Sequence, residues 1–146
     1  MKNLIKTFFL IFIFFFSISG NNYIYADQEN VIGFGVQSEI PQGIRFNIEL
    51  NDYENIQDIQ VKFKIDGRKS FQYEYLKLPK GNGSVDHFFS TLQSSRYMPP
   101  GSKIEYYFEI FNKDGSSFRT EKKYDVLLDS RFNWDIVQGE IVDVYY

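Results

Sequence analysis

Residues 103–115, KIEYYFEIFNKDG, decide the fold class of this 146-residue chain. Apolar and polar residues alternate along the stretch with a period of two, which is typical of a β-strand with one buried face. The side chains predicted to point inward are Ile104, Tyr106, Phe108 and Ile110. Asp114 and Gly115 then predict a turn, because both residue types tolerate positive φ angles. We interpret this stretch as the central strand of a sheet.

Two upstream stretches repeat the pattern and also predict strands with one buried face. In IRFNIELN, residues 44–51, the inward set is Ile44, Phe46, Ile48 and Leu50. In IQVKFKIDG, residues 59–67, the inward set is Ile59, Val61, Phe63 and Ile65, and an Asp-Gly turn ends the strand. Weaker strand patterns occur at residues 31–37, 70–78, 84–90 and 118–128.

No stretch of ten residues shows the apolar spacing of an amphipathic helix together with a cap and a stop, so we predict an all-β chain. About seven strands between residues 31 and 129 match an immunoglobulin or fibronectin III-like sandwich. A small barrel uses the same pattern and is the alternative. The predicted organisation is a signal peptide at 1–26, a β-sandwich domain at 30–129, and a junction or C-terminal hairpin at 130–146.

The first 26 residues have the layout of a secretory signal peptide. Lys2 and Lys6 precede an apolar run of about 11 residues, whereas a helix that spans a membrane needs roughly 20. Cleavage is predicted after Ala26, and Ser17 and Ser19 offer an earlier site. We therefore expect an exported chain, which is secreted, periplasmic or at the cell surface, and which is tethered to the membrane only if the signal peptide is not cleaved.

Charge and cysteine content narrow the classes of partner. Loss of Lys2 and Lys6 leaves 14 lysines and arginines against 19 acidic residues, a net charge of −5. The basic residues are scattered along the sequence, so no basic stripe predicts binding to nucleic acid, and no stable membrane insertion is expected after cleavage. The chain has no cysteine, which excludes a disulfide framework and a lipid anchor on an N-terminal cysteine.

The inventory of reactive side chains argues against an enzyme. His87 is the single histidine, and it lies within an apolar strand pattern, where packing against aromatic neighbours is the favoured interpretation over catalysis. Neither a G-x-S-x-G elbow nor an H-E-x-x-H motif is present. We predict no catalytic residue, no cofactor and no metal site.

Three acids and four tyrosines are the other candidates for a binding site. Asp125, Asp129 and Asp135 match no calcium-loop spacing, so a solvated surface is the favoured interpretation.

Carbohydrate-binding sandwiches stack exposed aromatic rings against sugars, and this function is the alternative hypothesis. The tyrosines concerned are Tyr73, Tyr75, Tyr97 and Tyr107, for which packing against the core or across strands is the favoured interpretation.

The segment DSRFNW, residues 129–134, holds the candidate interface residues Arg131, Phe132 and Trp134. Phe132 and Trp134 alternate on one predicted face, and Arg131 is expected to pair with Asp129 or with another acid. Packing beneath the sandwich is favoured over contact with a partner. If Trp134 is buried, its replacement by alanine is expected to destabilise the fold by a few kcal/mol, about the usual cost of removing a large aromatic side chain.

This segment, together with YMPPGSKIEYYFEIFNKDGSSFRTE at residues 97–121, resembles the N-terminal sandwich domain of exported peptidase-MA-like metallopeptidases. The matching features are the PPG turn at 99–101, the strand at 104–110, the Asp114-Gly115 hairpin, Thr120, and the D-x-RF-x-W segment. The resemblance covers about residues 40–146.

In that family a gluzincin zinc peptidase domain follows the sandwich. Its H-E-x-x-H motif has no counterpart in this chain, so the resemblance implies no catalytic residue here. It implies a non-catalytic accessory module that serves for positioning, for substrate presentation or for docking. Its expected contact is a protein partner or the missing C-terminal domain. Residues 130–146 are then expected to be a truncated junction with that domain. The alternative is that the chain is a natural stand-alone interaction module.

Overall fold

The computed structural model describes residues 30–79, 83–93 and 96–146, and it shows an all-β immunoglobulin or fibronectin III-like sandwich. The predicted signal peptide at 1–26 lies outside these residues. The strands are β1 (Val31–Glu39), β2 (Gly43–Leu50), β3 (Ile56–Ile65), β4 (Gln72–Leu76), β5 (Ser84–Ser90), β6 (Ser102–Asn112), β7 (Ser117–Arg119), β8 (Lys123–Leu127), β9 (Ile136–Val137) and β10 (Val144–Tyr145). In the described part of the chain, no helix is long and apolar enough to cross a membrane.

The strands form two stacked antiparallel sheets and one hairpin. The smaller sheet has the order β1-β2-β5, and the larger sheet has the order β4-β3-β6-β7, with β8 also paired to β6. Across the described ranges no backbone ladder joins the two sheets, so the fold is an open sandwich and the barrel alternative is wrong. The predicted central strand is confirmed, because β6 pairs with β3, β7 and β8.

The inner faces of the two sheets form one aromatic-rich core. All twelve side chains predicted to point inward from β2, β3 and β6 are buried. Phe63 of the larger sheet lies 5.0 Å from Phe46 and 5.0 Å from Phe89 of the smaller sheet, measured between ring centroids. These contacts across the sandwich bury large apolar side chains. Such burial is the main source of stability in a domain of this size that has no disulfide.

The predicted Asp-Gly turns are confirmed. Gly67 and Gly115 have φ angles of 80° and 87°, a region that residues with a Cβ rarely adopt. Each glycine lets the chain reverse tightly after a strand of the larger sheet. These turns therefore help to set the register of that sheet.

The predicted single strand at 118–128 is wrong in one respect, because the chain forms two strands, β7 and β8, with a break between them. At the break, Thr120 donates its backbone N–H to the carbonyl of Phe108 at 3.0 Å. Its side-chain Oγ1 accepts the N–H of Phe108 at 2.9 Å. A side-chain oxygen thus takes the place of a strand carbonyl, which satisfies β6 while the backbone turns away.

Candidate functional site

The C-terminal segment, residues 130–146, is attached to the sandwich through the end of β8. Asp129 is buried there, and its carboxylate accepts hydrogen bonds from the Nε of Arg131 at 2.9 Å and from the second guanidinium nitrogen at 2.6 Å. The backbone N–H of Arg131 donates to the same carboxylate at 3.0 Å. The Arg131 side chain holds the pKa of Asp129 below its usual value. The predicted pairing of Arg131 with Asp129 is therefore confirmed.

Trp134 and Phe132 complete this cluster. The indole Nε1 of Trp134 donates to the carbonyl of Asp129 at 2.7 Å, and the ring is half-buried. Phe132 is 61% exposed and meets Trp134 edge to face, with 6.2 Å between the ring centroids. Arg131 and Trp134 are thus held by the fold, whereas Phe132 presents most of its ring to solvent. The interface role of these three residues stays a prediction.

Two open clefts flank Trp134. One, of about 590 Å³, lies between β1 and residues 125–134. The other, of about 700 Å³, lies between residues 100–103 and the loop and strand at 139–145. Both are open to solvent, and their walls include polar and charged residues as well as the Trp134 ring. They are shallow surfaces for contact and do not enclose a small ligand.

Exposed large hydrophobic side chains are concentrated in the C-terminal segment. Seven of the fourteen large hydrophobic side chains that are exposed among the described residues lie between positions 132 and 146. They are Phe132, Ile136, Val137, Ile141, Val142, Val144 and Tyr146. Ile141, at 94% exposure, is the most solvent-accessible of them. The hairpin strands β9 and β10 pair only with each other, through two residues each.

The outer face of the larger sheet is a second candidate site. Residues opposite one another in adjacent strands point to the same face, so the strand register defines three rows across the sheet. These rows are Tyr75–Gln60–Glu109–Arg119, Tyr73–Lys62–Tyr107 and Lys64–Glu105–Tyr124. We call these residues, together with Phe71 and Lys122, the outer face. The opposite orientations of Tyr106 and Tyr107 are confirmed, because Tyr106 is buried in the core.

The exposure of three tyrosines contradicts the expectation that they pack against the core. Tyr73, Tyr75 and Tyr97 are 60%, 54% and 59% exposed, so packing against the core does not explain them. On β4 it is Leu76 that enters the core, because Tyr73 and Tyr75 point the other way. The rings of Tyr73 and Tyr75 lie 6.0 Å apart at an angle of 87°, which is not a flat aromatic platform. Tyr97 lies in the loop before β6, away from this pair.

Two carboxylates on the outer face are each shared by two cations. Glu105 lies 2.9 Å from the Nζ of Lys64 and 2.7 Å from the Nζ of Lys122. Hydrogen bonds from Lys122 and Lys64 place the pKa of Glu105 below its usual value. Glu109 is paired with Lys62 and accepts a hydrogen bond from the Nε of Arg119 at 3.1 Å. Burial raises the pKa of Glu109, but these two cations more than offset it, so the net shift is downward.

The cations of the outer face also contact its aromatic rings. The Nζ atoms of Lys64 and Lys122 lie 5.0 Å and 5.4 Å from the centroid of Phe71. The Arg119 guanidinium lies 5.7 Å from the centroid of Tyr107, which itself meets Phe71 edge to face at 5.6 Å. Such contacts are favourable because the face of an aromatic ring is electronegative. Phe71, Arg119 and Lys122 were not predicted as site residues from the sequence, because only strand pairing brings them together.

The remaining candidates for chemistry stay apart. The Nε2 of His87 lies 3.8 Å from a carboxylate oxygen of Glu74, at the border between the two sheets. Asp129 is paired with Arg131, and the structure does not gather it with Asp125 and Asp135 into a ligand set. No group of three or more histidines, cysteines and acids that could hold a metal ion occurs in the described ranges.

Comparison with known proteins does not assign this chain to a family. No family model and no curated protein matches it. A solved structure described as "Crystal structure of Br derivative BhCBM56" is similar over 64% of this chain and 88% of its own length, with 13% sequence identity and a TM-score of 0.48. At this identity and score, the similarity identifies no ligand for this chain.

Proposed function

We propose that this protein is a non-catalytic, exported β-sandwich module that docks on a protein partner through its C-terminal segment. The observation behind this proposal is the concentration of exposed apolar side chains at residues 132–146. Soluble proteins rarely expose a contiguous apolar surface without using it for an interaction. The module resembles the accessory domain of peptidase-MA-like proteins, and its partner is a folded domain with an apolar surface.

The base of the segment is ordered before any partner arrives. Asp129, Arg131 and Trp134 form a connected set of hydrogen bonds at the end of β8. Because these residues are held in place, docking has fewer side chains to order, which lowers the entropic cost of association. Phe132 projects from this ordered base and is the expected anchor of the interface.

A binding experiment with a matched control tests the docking proposal. The purified chain is mixed with a separately produced peptidase-MA-like zinc peptidase domain from the same organism, and complex formation is measured by size-exclusion chromatography and calorimetry. We expect a complex that is lost in Ile141→Lys and kept in Leu92→Lys, since Leu92 is 73% exposed but lies outside the segment. The proposal fails if no complex forms or if both variants bind alike.

The non-catalytic assignment has its own test. The purified chain is assayed for hydrolysis of peptide and glycoside substrates in the presence of a metal chelator. We expect no turnover. Activity that is lost in His87→Ala would contradict the assignment, because His87 is the single histidine of the chain.

A second candidate function is carbohydrate binding at the outer face. The observation that favours it is the exposure of Tyr73 and Tyr75 on the same face as Tyr107. Tyrosine rings provide apolar surface and a hydroxyl group at low cost in conformational entropy, which suits contact with a sugar ring. This function is compatible with docking, because the two surfaces use different residues.

A further inference from the structure

We propose that the outer face binds an acidic polysaccharide, a polymer of sugar acids such as uronates. This inference rests on the second candidate function and names its class of ligand.

Positive charge is in excess at the outer face. Lys62, Lys64, Arg119 and Lys122 share two carboxylates, Glu105 and Glu109. The lysines Lys62, Lys64 and Lys122 alone outnumber these two carboxylates, in a chain whose net charge is −3. An acidic protein that collects cations on one sheet face offers a local site for an anion. Lys122, with 54% of its side chain exposed, is the most accessible of the four.

Rings and cations alternate across the strands. In the middle row, Lys62 of β3 lies between Tyr73 of β4 and Tyr107 of β6. Adjacent strands are about 4.8 Å apart, so these two tyrosines and this lysine occupy neighbouring backbone positions on one face of the sheet. A sugar acid needs this combination, because its ring has an apolar face and its carboxylate needs a cation.

The angle between Tyr73 and Tyr75 indicates the form of the polymer. Two rings at 87° cannot both lie flat against one planar surface. They can contact a single chain, with one ring facing it and the other touching its side. The outer face is therefore suited to a single soluble chain, and it does not suit the surface of a crystalline polysaccharide.

The experiment compares two forms of one polymer that differ in charge. Polygalacturonate and its fully methyl-esterified form are titrated into the purified chain at low and at physiological salt, with binding measured by calorimetry. We expect polygalacturonate to bind, its affinity to fall as salt screens the cations, and the esterified form to bind much more weakly.

Matched variants locate the site. Lys122→Gln keeps Lys64 on Glu105, and we expect about a two- to fivefold loss of affinity, whereas Lys113→Gln, in the β6–β7 turn, leaves affinity unchanged. Tyr73→Ala is expected to weaken binding by about fivefold, and Tyr97→Ala to have no effect. Circular dichroism verifies that each variant is folded. If Lys122→Gln and Lys113→Gln bind alike, the proposed site is wrong.

The outcomes separate the inference from the function beneath it. Equal binding of both polymer forms, weakened by Tyr73→Ala, would keep carbohydrate binding and overturn the preference for acidic sugars. Binding of neither form would overturn both. Tighter binding of a single-stranded oligonucleotide of equal charge would show a general site for polyanions and would also overturn the inference.

Discussion

Trp134 shows how one side chain can connect a surface segment to a folded domain. Its indole N–H reaches back to the carbonyl of Asp129, while its ring borders both clefts and contacts Phe132. A half-buried ring that makes one hydrogen bond stabilises the fold less than a core aromatic such as Phe46, which is fully buried. The residue thus serves packing at its base and leaves Phe132 available for contact.

Replacement of Trp134 separates its hydrogen bond from its packing. We expect Trp134→Phe to lower the free energy of unfolding by about 0.5 to 1.5 kcal/mol, the usual net value of one hydrogen bond. Trp134→Ala should cost about 1 to 3 kcal/mol, because it also removes the ring contacts of a half-buried side chain. Urea denaturation provides the measurement, and Leu92→Ala, at an exposed position outside the segment, is the control. If Trp134→Ala is as stable as the unmodified chain, the ring serves binding alone.

At the residue scale, alternation in the sequence predicts which side chains enter the core but not what lies on the opposite face. The inward residues of β2, β3 and β6 were predicted because apolar side chains at every second position have only one energetically favourable side. The outward residues are subject to no such constraint. Tyr73 and Tyr107 are tolerated on either side, so only the register of three strands shows that they share a face with Lys62.

At the scale of elements, the break between β7 and β8 could not be predicted from the pattern. Thr120 is a common strand residue, and its Oγ1 accepts the N–H of Phe108 only because the chain folds back onto β6. The pairing of β7 and β8 with β6 likewise could not be predicted, because it depends on how the chain folds back. A periodic pattern describes one strand, whereas this feature depends on two.

A substitution of nearly equal shape tests the role of Thr120. Thr120→Val keeps the branched side chain but removes the acceptor, so the buried N–H of Phe108 loses its partner. We expect the free energy of unfolding to fall by about 1 to 3 kcal/mol, the cost of an unsatisfied buried donor. Thr120→Ser keeps the oxygen and should cost less. Thermal denaturation followed by circular dichroism compares the variants, and equal stability of Thr120→Val and the unmodified chain would contradict the role.

At the scale of the whole molecule, the sandwich and the C-terminal segment differ in how firmly they are held. β3 and β6 each pair with neighbours on both sides and contribute nine of the twenty buried residues of the core. The hairpin of β9 and β10 has a ladder of two residue pairs, and its strands are largely exposed. Local opening is easiest where few buried apolar contacts oppose it.

Hydrogen exchange measures this difference directly. We expect amides of β3 and β6 to exchange only through global unfolding, and amides of β9 and β10 to exchange with an opening free energy near zero, roughly the lower limit for folded chains. Mass spectrometry of peptic fragments separates these regions. Equal protection of the hairpin and of β6 would show instead that the segment unfolds together with the sandwich. A bound partner should raise protection in the C-terminal segment, residues 130–146, and leave β3 and β6 unchanged.

The break at Thr120 also affects how copies of the chain meet. A long, regular border strand is a template on which another chain can extend the sheet, and repeated addition leads to fibrils. Here that border of the larger sheet consists of a three-residue strand and a five-residue strand with an interruption between them. A neighbouring molecule finds no continuous row of backbone donors and acceptors there. The same threonine that completes the bonding of β6 therefore also protects this border against fibril growth.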